Sequence, residues 1–479
     1  MLTGSQVVMF VLLDLALILV AARAFGALAK KVGQPSVVGE IIAGVALGPS
    51  LLGLISVPAD FVVSLGPMDL PLLCDRAIAA GADATLSSCL FPPQAAAILN
   101  NFGQLALLLF MFLVGLELDL DALAGKAKQL STVAIGVVAV PLLLGLAITP
   151  LMFDGTFVAD EGTVSRLGFG LFLGAFLSMT ALPVMARILQ EKGLITSPLG
   201  IVGIAAAAAV TVLAFILVSL AAGVATGAPT GLLVMRVVLA FVYLAVMIMV
   251  IKPVLAKRLG EPYAERARTI GLTSAKMTWS GIDEFSPAGA GHALSHAMFA
   301  WVLVLVLVSG WISHMLGVTV IIGGFMAGLV MPARQGLVRD MTTELFDTVV
   351  VFLLPIFLAF SGLNTDVTAL SGAAVPGLAI FIVTAIVAKW GSGAVLGRLS
   401  GMSWSDSNLM GILMNCRGLL PLVVGLVGLQ TGIITPAMNV VAVIMALVTT
   451  AMTGPVFDRF NRPAPPVEPT PPVAEAAAG

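Results

Sequence analysis

Apolar runs long enough to cross a bilayer recur along this chain, each closed by a short polar stretch. A bilayer core about 30 Å thick takes about 20 apolar residues in helical form. Within it every backbone N–H and C=O must be satisfied inside the segment, which restricts the chain to helices. Spans are expected near 6–25, 36–54, 99–117, 129–152, 166–186, 199–224, 230–252, 296–315, 318–332, 346–364, 374–397, 408–429 and 434–456, about 13 transmembrane helices in all. The 318–332 segment is short and bounded by Gly317 and Pro332, so it is expected to be tilted or partly interfacial. Composition excludes a water-soluble enzyme: 59% of the residues are hydrophobic and 10% charged, against about 25% charged in a soluble domain. The net charge of −2 gives no reason to expect a nucleic-acid partner, and three cysteines make neither a disulfide scaffold nor a multi-cysteine metal site. The expected class is an all-α polytopic membrane protein embedded in a lipid bilayer.

Of the 23 Lys and Arg residues, Arg236, Lys389 and Arg417 lie within spans, Arg76 and Arg166 fall on the side of the N-terminus, and the other 18 fall on the opposite side. One missed or invented span would reverse every later loop, so the split predicts an outside N-terminus and a cytoplasmic C-terminus, in the plasma membrane. MLTGSQ before the first run carries no basic residue, so residues 1–25 are expected to be a retained helix rather than a signal peptide.

The rest of the organisation follows. Residues 1–462 form the transmembrane domain, with half one at about 34–252 and half two at about 296–457; one N-terminal helix precedes two six-helix repeats, which suggests inverted repeats. The loop 55–98 is extracytoplasmic and holds Cys74 and Cys89, which either pair or stay as two thiols. Residues 253–295 are a cytoplasmic linker, and 463–479, with six prolines, a disordered Pro/Ala-rich tail. No G-x-x-x-x-G-K-[ST] sequence occurs, so ATP-driven transport by this chain alone is not expected.

Two spans are interrupted at matching places. The fifth contains Ser178-Met179-Thr180-Ala181-Leu182-Pro183, and the twelfth Asn415-Cys416-Arg417-Gly418 followed by Pro421. Proline removes an intrahelical hydrogen bond and clashes with the preceding turn. Two Pro-kinked helices with hydroxyls bonded to backbone would read the same way. The matching positions, with a charge beside one, favour a transport site at two broken helices. Lys389 and Arg417 sit near the middle of their spans, where each cation costs about 2.5–3.5 kcal/mol on insertion scales and must face the bundle interior. Acids at depth are few: Asp14, Glu40 and Glu117. His292 and His296 have an i, i+4 spacing, but no third ligand is near and no metal site is expected. No cofactor is expected.

Several motifs in order resemble one family. They are Gln34-Pro35-Ser36-Val37-Val38-Gly39-Glu40-Ile41 continuing to Leu47-Gly48-Pro49-Ser50-Leu51-Leu52-Gly53, the segment FMFLVGLELDLD from Phe110 to Asp121, and Ser178 to Leu189. Leu354-Pro355-Ile356-Phe357 through Ser361-Gly362-Leu363-Asn364-Thr365-Asp366, and Met414-Asn415-Cys416-Arg417-Gly418-Leu419, complete the set. The chain resembles the monovalent cation:proton antiporters of the second branch (CPA2), with its Kef-like and plant CHX-like exchangers. The resemblance implies a NapA/NhaA-like fold with two discontinuous crossing helices, a six-helix core moving as an elevator, a homodimer, and exchange of Na⁺ or K⁺ for H⁺. It carries function onto Lys389, Arg417, Asn415 and the crossover polar groups Ser178 and Thr180.

One departure is large. Where such relatives carry an acid pair in the sixth helix, this chain has Val210 and Thr211, and Pro421 stands where many have a glutamate. A buried carboxylate binds a cation or a proton in competition; a hydroxyl coordinates but does not titrate. Lys389 then lacks its acid, and burial disfavours its charged form, which makes Lys389 itself a candidate proton carrier, with Glu117 and Glu40 as alternative titrating acids. The leading expectation is a cation:proton antiporter with non-standard coupling. The alternatives are a proton-coupled exporter of an organic or ionophore-like solute on the same scaffold, and a non-transporting homologue.

Overall fold

The computed structural model describes residues 4–32, 34, 36–57, 63–65, 68–70, 85–116, 127–194, 197–261, 263–264, 295–317, 319–332, 335–363, 365–370, 372, 374–418 and 420–461. Among these, ten helices are long and apolar enough to cross a membrane, and Arg166–Ser178, Val320–Leu329 and Leu420–Gln430 are shorter apolar helices. In chain order the helices are α1 (Gly4–Lys31), α2 (Ser36–Leu47), α3 (Leu86–Leu90), α4 (Pro93–Leu116), α5 (Ala127–Met152), α6 (Arg166–Ser178), α7 (Leu182–Glu191) and α8 (Pro198–Ala225). There follow α9 (Thr230–Gly260), α10 (His296–Met315), α11 (Val320–Leu329), α12 (335–363), α13 (Ala374–Leu399), α14 (Trp404–Met414), α15 (Leu420–Gln430) and α16 (Pro436–Phe460).

Local chemistry sets many of the ends. Ser165, Ser197, Ser403 and Thr435 each accept a backbone N–H in the first turn of α6, α8, α14 and α16, and Pro198 and Pro436 occupy the first helical position, where no N–H partner is needed. Gly317 (φ +73°) and Gly432 (φ +67°) follow α10 and α15 in the left-handed conformation that terminates a helix.

Helices α1, α2, α4, α10, α11 and α12 pack chiefly on one another, and α5–α8 with α13–α16 form a second bundle. Close approach in the first bundle depends on glycine. A Cβ at Gly324 would lie 2.1 Å from the Leu108 carbonyl oxygen, and one at Gly328 2.2 Å from that of Phe112, so α11 seats its backbone directly against α4. Large apolar side chains remain on the outer faces, including Met249, Leu399, Val20 and Trp301, which suits contact with acyl chains and not with water.

Several expected boundaries move. Helix α1 continues to Lys31, α4 starts at Pro93, α7 reaches Glu191, and α9 runs to Gly260, through residues expected in the linker. An apolar run marks the part of a helix in hydrocarbon, whereas intrahelical bonding continues into polar flanks. The 55–98 region contains α3 and a hairpin pairing Val63–Leu65 with Met68–Leu70. Cys89 is disulfide-bonded; Cys74 lies outside the described residues, as do Glu117, His292, most of the linker and the tail after Asn461.

Candidate functional site

Both crossing segments of the second bundle are interrupted. Met179–Ala181 separate α6 from α7, and α14 ends at Met414 before α15 resumes at Leu420. The prolines lie just past the interruptions: Pro183 and Pro421 are each the second residue of the helix that resumes. There the missing N–H would have no intrahelical partner and the fixed φ suits the first turn, so each proline starts a helix instead of kinking one.

The two interruptions bond to each other. The Ala181 amide donates to the Cys416 carbonyl at 2.9 Å, and the Thr180 hydroxyl donates to the Met414 carbonyl at 3.1 Å. Gly418 lies at the crossing itself: a Cβ there would sit 3.0 Å from the Ala181 side chain and 3.1 Å from that of Val184. Backbone groups freed by breaking two helices are thus satisfied across the junction.

Two cations enter this junction, both with no exposed surface. Lys389 lies in a π turn of α13, Val387–Gly391, a wide turn of the kind frequent at functional sites. Its Nζ donates to Thr180 Oγ1 at 2.7 Å and reaches the Val137 carbonyl of α5 at 3.4 Å. Arg417 donates from one terminal nitrogen to the Phe176 carbonyl of α6 at 3.1 Å, and from the other to the Ala385 carbonyl of α13 at 3.3 Å; its Nε has no partner. Neither cation has an ion-pair partner among the described residues. What faces Lys389 is a hydroxyl.

The remaining polar residues divide. Ser178 is buried at the end of α6, its hydroxyl within reach of the Gly174 carbonyl (2.7 Å) and the Val138 carbonyl (3.1 Å). Asn415 is 2% exposed, touches Met452 Sδ at 3.9 Å, and leaves its side-chain oxygen without a partner. Thr211 turns its hydroxyl to the Ala207 carbonyl of its own helix at 2.8 Å, and Val210 is fully buried. Glu40 is half-buried on α2, packed opposite Gly26 of α1 in the other bundle. Ser178, Thr180, Asn415, Lys389 and Arg417 therefore belong to one junction; the Thr211 hydroxyl is spent on its own helix, and Glu40 is remote in the packing. The carbonyls of Val137, Phe176 and Ala385 join the site with no signal in the sequence, because every residue carries a carbonyl and only the tertiary arrangement selects which one is used.

The sequence model described as the transmembrane sodium/hydrogen exchanger matches residues 15–275 and 285–460. The chain belongs to the sodium/hydrogen exchanger family. Among curated relatives, the Na(+)/H(+) antiporter NhaS4 of Synechocystis sp. (strain ATCC 27184 / PCC 6803 / Kazusa) is 31% identical over 96% of this chain and 99% of its own length. Cation/H(+) antiporter 19 of Arabidopsis thaliana is 29% identical over 95% of this chain and 50% of its own, and K(+)/H(+) antiporter 1 of Saccharomyces cerevisiae 29% over 88% and 43%. The chain thus spans almost all of the first and about half of the plant and yeast exchangers. A solved structure of the sodium proton antiporter MjNhaP1 from Methanocaldococcus jannaschii superposes with a TM-score of 0.52 over 94% of this chain and 96% of that one, at 14% identity, a likeness of fold. Within this exchanger fold, the charged side chains buried at the junction among the described residues are Lys389 and Arg417, both cationic.

Proposed function

We propose that this chain is a secondary antiporter exchanging Na⁺ or K⁺ for H⁺, and that Lys389 carries the exchanged proton. The observation that carries the reading is the bond from Lys389 Nζ to Thr180 Oγ1 at the junction of the two broken helices. A hydroxyl both donates and accepts. It accepts from an ammonium, as here, and can turn its proton toward a neutral amine, so both protonation states of Lys389 have a partner. The ammonium occupies oxygens of Thr180 and Val137, and the uncommitted oxygen of Asn415 belongs to the same junction. An alkali cation uses hard oxygen ligands of the same kind. Proton and cation are then alternative ways of putting one positive charge in one place, which is what antiport by competition requires.

In this reading the bundle of α5–α8 and α13–α16 moves as an elevator against the other helices, in a homodimer in the plasma membrane, with the N-terminus outside. The distribution of basic residues supports the orientation, and the packing of the helices into two groups supports the division. The test is dye-reported ΔpH in proteoliposomes challenged with Na⁺, K⁺ or Li⁺. Exchange by wild type and its loss in Lys389→Ala are expected; a Lys389→Ala protein that exchanges as well as wild type would remove Lys389 from the role.

A second reading is favoured by the absence, among the described residues, of an ion-pair partner for either cation and by the free Nε of Arg417. Such a junction would also attract an anionic organic solute, exported against protons. Proton flux driven by that solute, with no response to alkali cations, would select it; strict dependence on Na⁺ or K⁺ would eliminate it.

A further inference from the structure

Among the described residues one acid is fully buried, and it is not at the crossover. Asp14 lies on the buried stripe of α1, between Phe10 and Ile18 one turn to either side, and it has no exposed surface. Neither of its carboxyl oxygens has a hydrogen-bond partner. The stripe packs with Ala95 and Leu99 of α4 and with Ile356, Ala359 and Phe360 of α12 in an apolar cluster. At 1.5 Å per residue Asp14 is about 15 Å from the start of α1, near the middle of a bilayer core about 30 Å thick.

No counter-charge is at hand among the described residues. Neither α4 nor the 354–363 part of α12 contains an ionisable side chain. Arg23 lies about 14 Å further along α1 and donates to the Val351 carbonyl. The one acid of α2, Glu40, packs opposite Gly26, well toward the other end of α1. A lone carboxylate in such a place bears a large desolvation cost with nothing among the described residues to offset it. A carboxylic acid bears far less. An alkali cation would relieve the charge, but it needs several oxygen ligands and the cluster supplies side-chain carbon.

We propose that Asp14 is a second proton-binding site, held in the bundle opposite the crossover: its carboxyl carries a proton in this conformation and releases it as the exchanger cycles. The route for the proton runs toward the N-terminal end of α1. The layer in that direction includes Val7, Leu47, Phe91 and Leu363, all only partly buried, so a small separation of α1 from α12 admits water to the carboxyl. Asp14 then adds a titrating carboxyl to an exchanger whose crossover has none described. Its protonation does not depend on the role assigned to Lys389, although its part in the cycle rests on the chain being an antiporter.

The experiment uses full-length protein in proteoliposomes and dicyclohexylcarbodiimide, an apolar reagent that attacks protonated carboxyls in hydrocarbon. Mass spectrometry is expected to find the adduct on Asp14 at neutral pH, to find less as the pH rises, and to find none with a water-soluble carbodiimide. Asp14→Asn, which keeps the shape and removes the titration, is expected to slow exchange several-fold and flatten its pH profile. No adduct at Asp14 at or below neutral pH overturns the proposal, and this needs no variant to fold. An Asp14→Asn protein with wild-type rate and pH profile overturns the participation in the cycle. If Lys389→Met still exchanges, the Lys389 assignment falls while the Asp14 adduct is unaffected, so the two failures are separable.

Discussion

The backbone N–H of Ala181 donates to the carbonyl of Cys416 over 2.9 Å, so the interruptions in two helices far apart in the chain form one hydrogen-bonded unit. Thr180 and Arg417, the neighbours of these two residues, reach from that unit to α13. The proton-bearing group proposed for transport is therefore wired to the backbone of both crossovers.

Thr180→Val should remove the side-chain partner of Lys389 at nearly constant volume. A hydrogen bond to a charged group contributes about 1.5–3 kcal/mol, and the ammonium would retain only the longer contact to Val137. Exchange is expected to fall at least about tenfold, the equivalent of about 1.4 kcal/mol, with Thr180→Ser retaining most of it. The checks are proteoliposome ΔpH traces and thermal unfolding in detergent.

Lys389→Met should separate function from stability. Removing an unpaired buried charge relieves a desolvation cost, and even whole buried ion pairs are often replaced by apolar residues with a neutral effect or a gain of about 1–4 kcal/mol. The variant is expected to unfold at an equal or higher temperature than wild type while exchanging no protons. A large fall in unfolding temperature would mean that the lysine is chiefly structural.

Gly324→Leu should prevent assembly of the first bundle. The new Cβ would lie 2.1 Å from a backbone carbonyl oxygen of α4, and a backbone atom in a packed helix pair cannot turn away as a side chain can. Overpacking costs about 1–3 kcal/mol where side chains can adjust, and this position belongs at the top of that range or beyond. Loss of the monodisperse peak in size-exclusion chromatography is the expected result, with Gly324→Ala milder but still impaired.

Lys192, the first residue after α7, and Asp458 in the last turn of α16 form an ion pair of 2.6 Å, with side-chain exposures of 31% and 54%. Exposed pairs of this kind contribute about 0–1 kcal/mol and are screened by salt. Asp458→Asn is expected to change the unfolding temperature little, and any difference from wild type should vanish in high salt. A large, salt-independent loss of stability would show that the pair does more than its exposure allows.

Much of the arrangement was legible residue by residue. The apolar runs located the helices, and Ser178 to Pro183 and Asn415 to Pro421 marked both interruptions, because proline and clustered polar groups have few uses inside hydrocarbon. Burial of Lys389 and Arg417 followed from the cost of facing lipid. The partners did not follow. That Lys389 meets Thr180 and not Thr211 depends on which way two helices rotate, and Thr211 has a carbonyl of its own helix within reach. The ends of α1, α7 and α9 ran past the apolar runs for the reason that hydropathy records the solvent and not the hydrogen bonding.

Sequence alone determined that this chain lives in a bilayer, that it is helical, that its motifs are those of the exchanger family, and that the carboxylate pair expected in the sixth helix is replaced by Val210 and Thr211. These follow from composition and local pattern, which the solvent reads one segment at a time. Only the tertiary structure decided that two interruptions share hydrogen bonds, that two cations are left facing a hydroxyl and carbonyls, and that Asp14 is shut in carbon between α1, α4 and α12. Those outcomes depend on distances of a few ångströms between segments remote in the chain, and such distances are set by packing and not by the order of residues within any one segment.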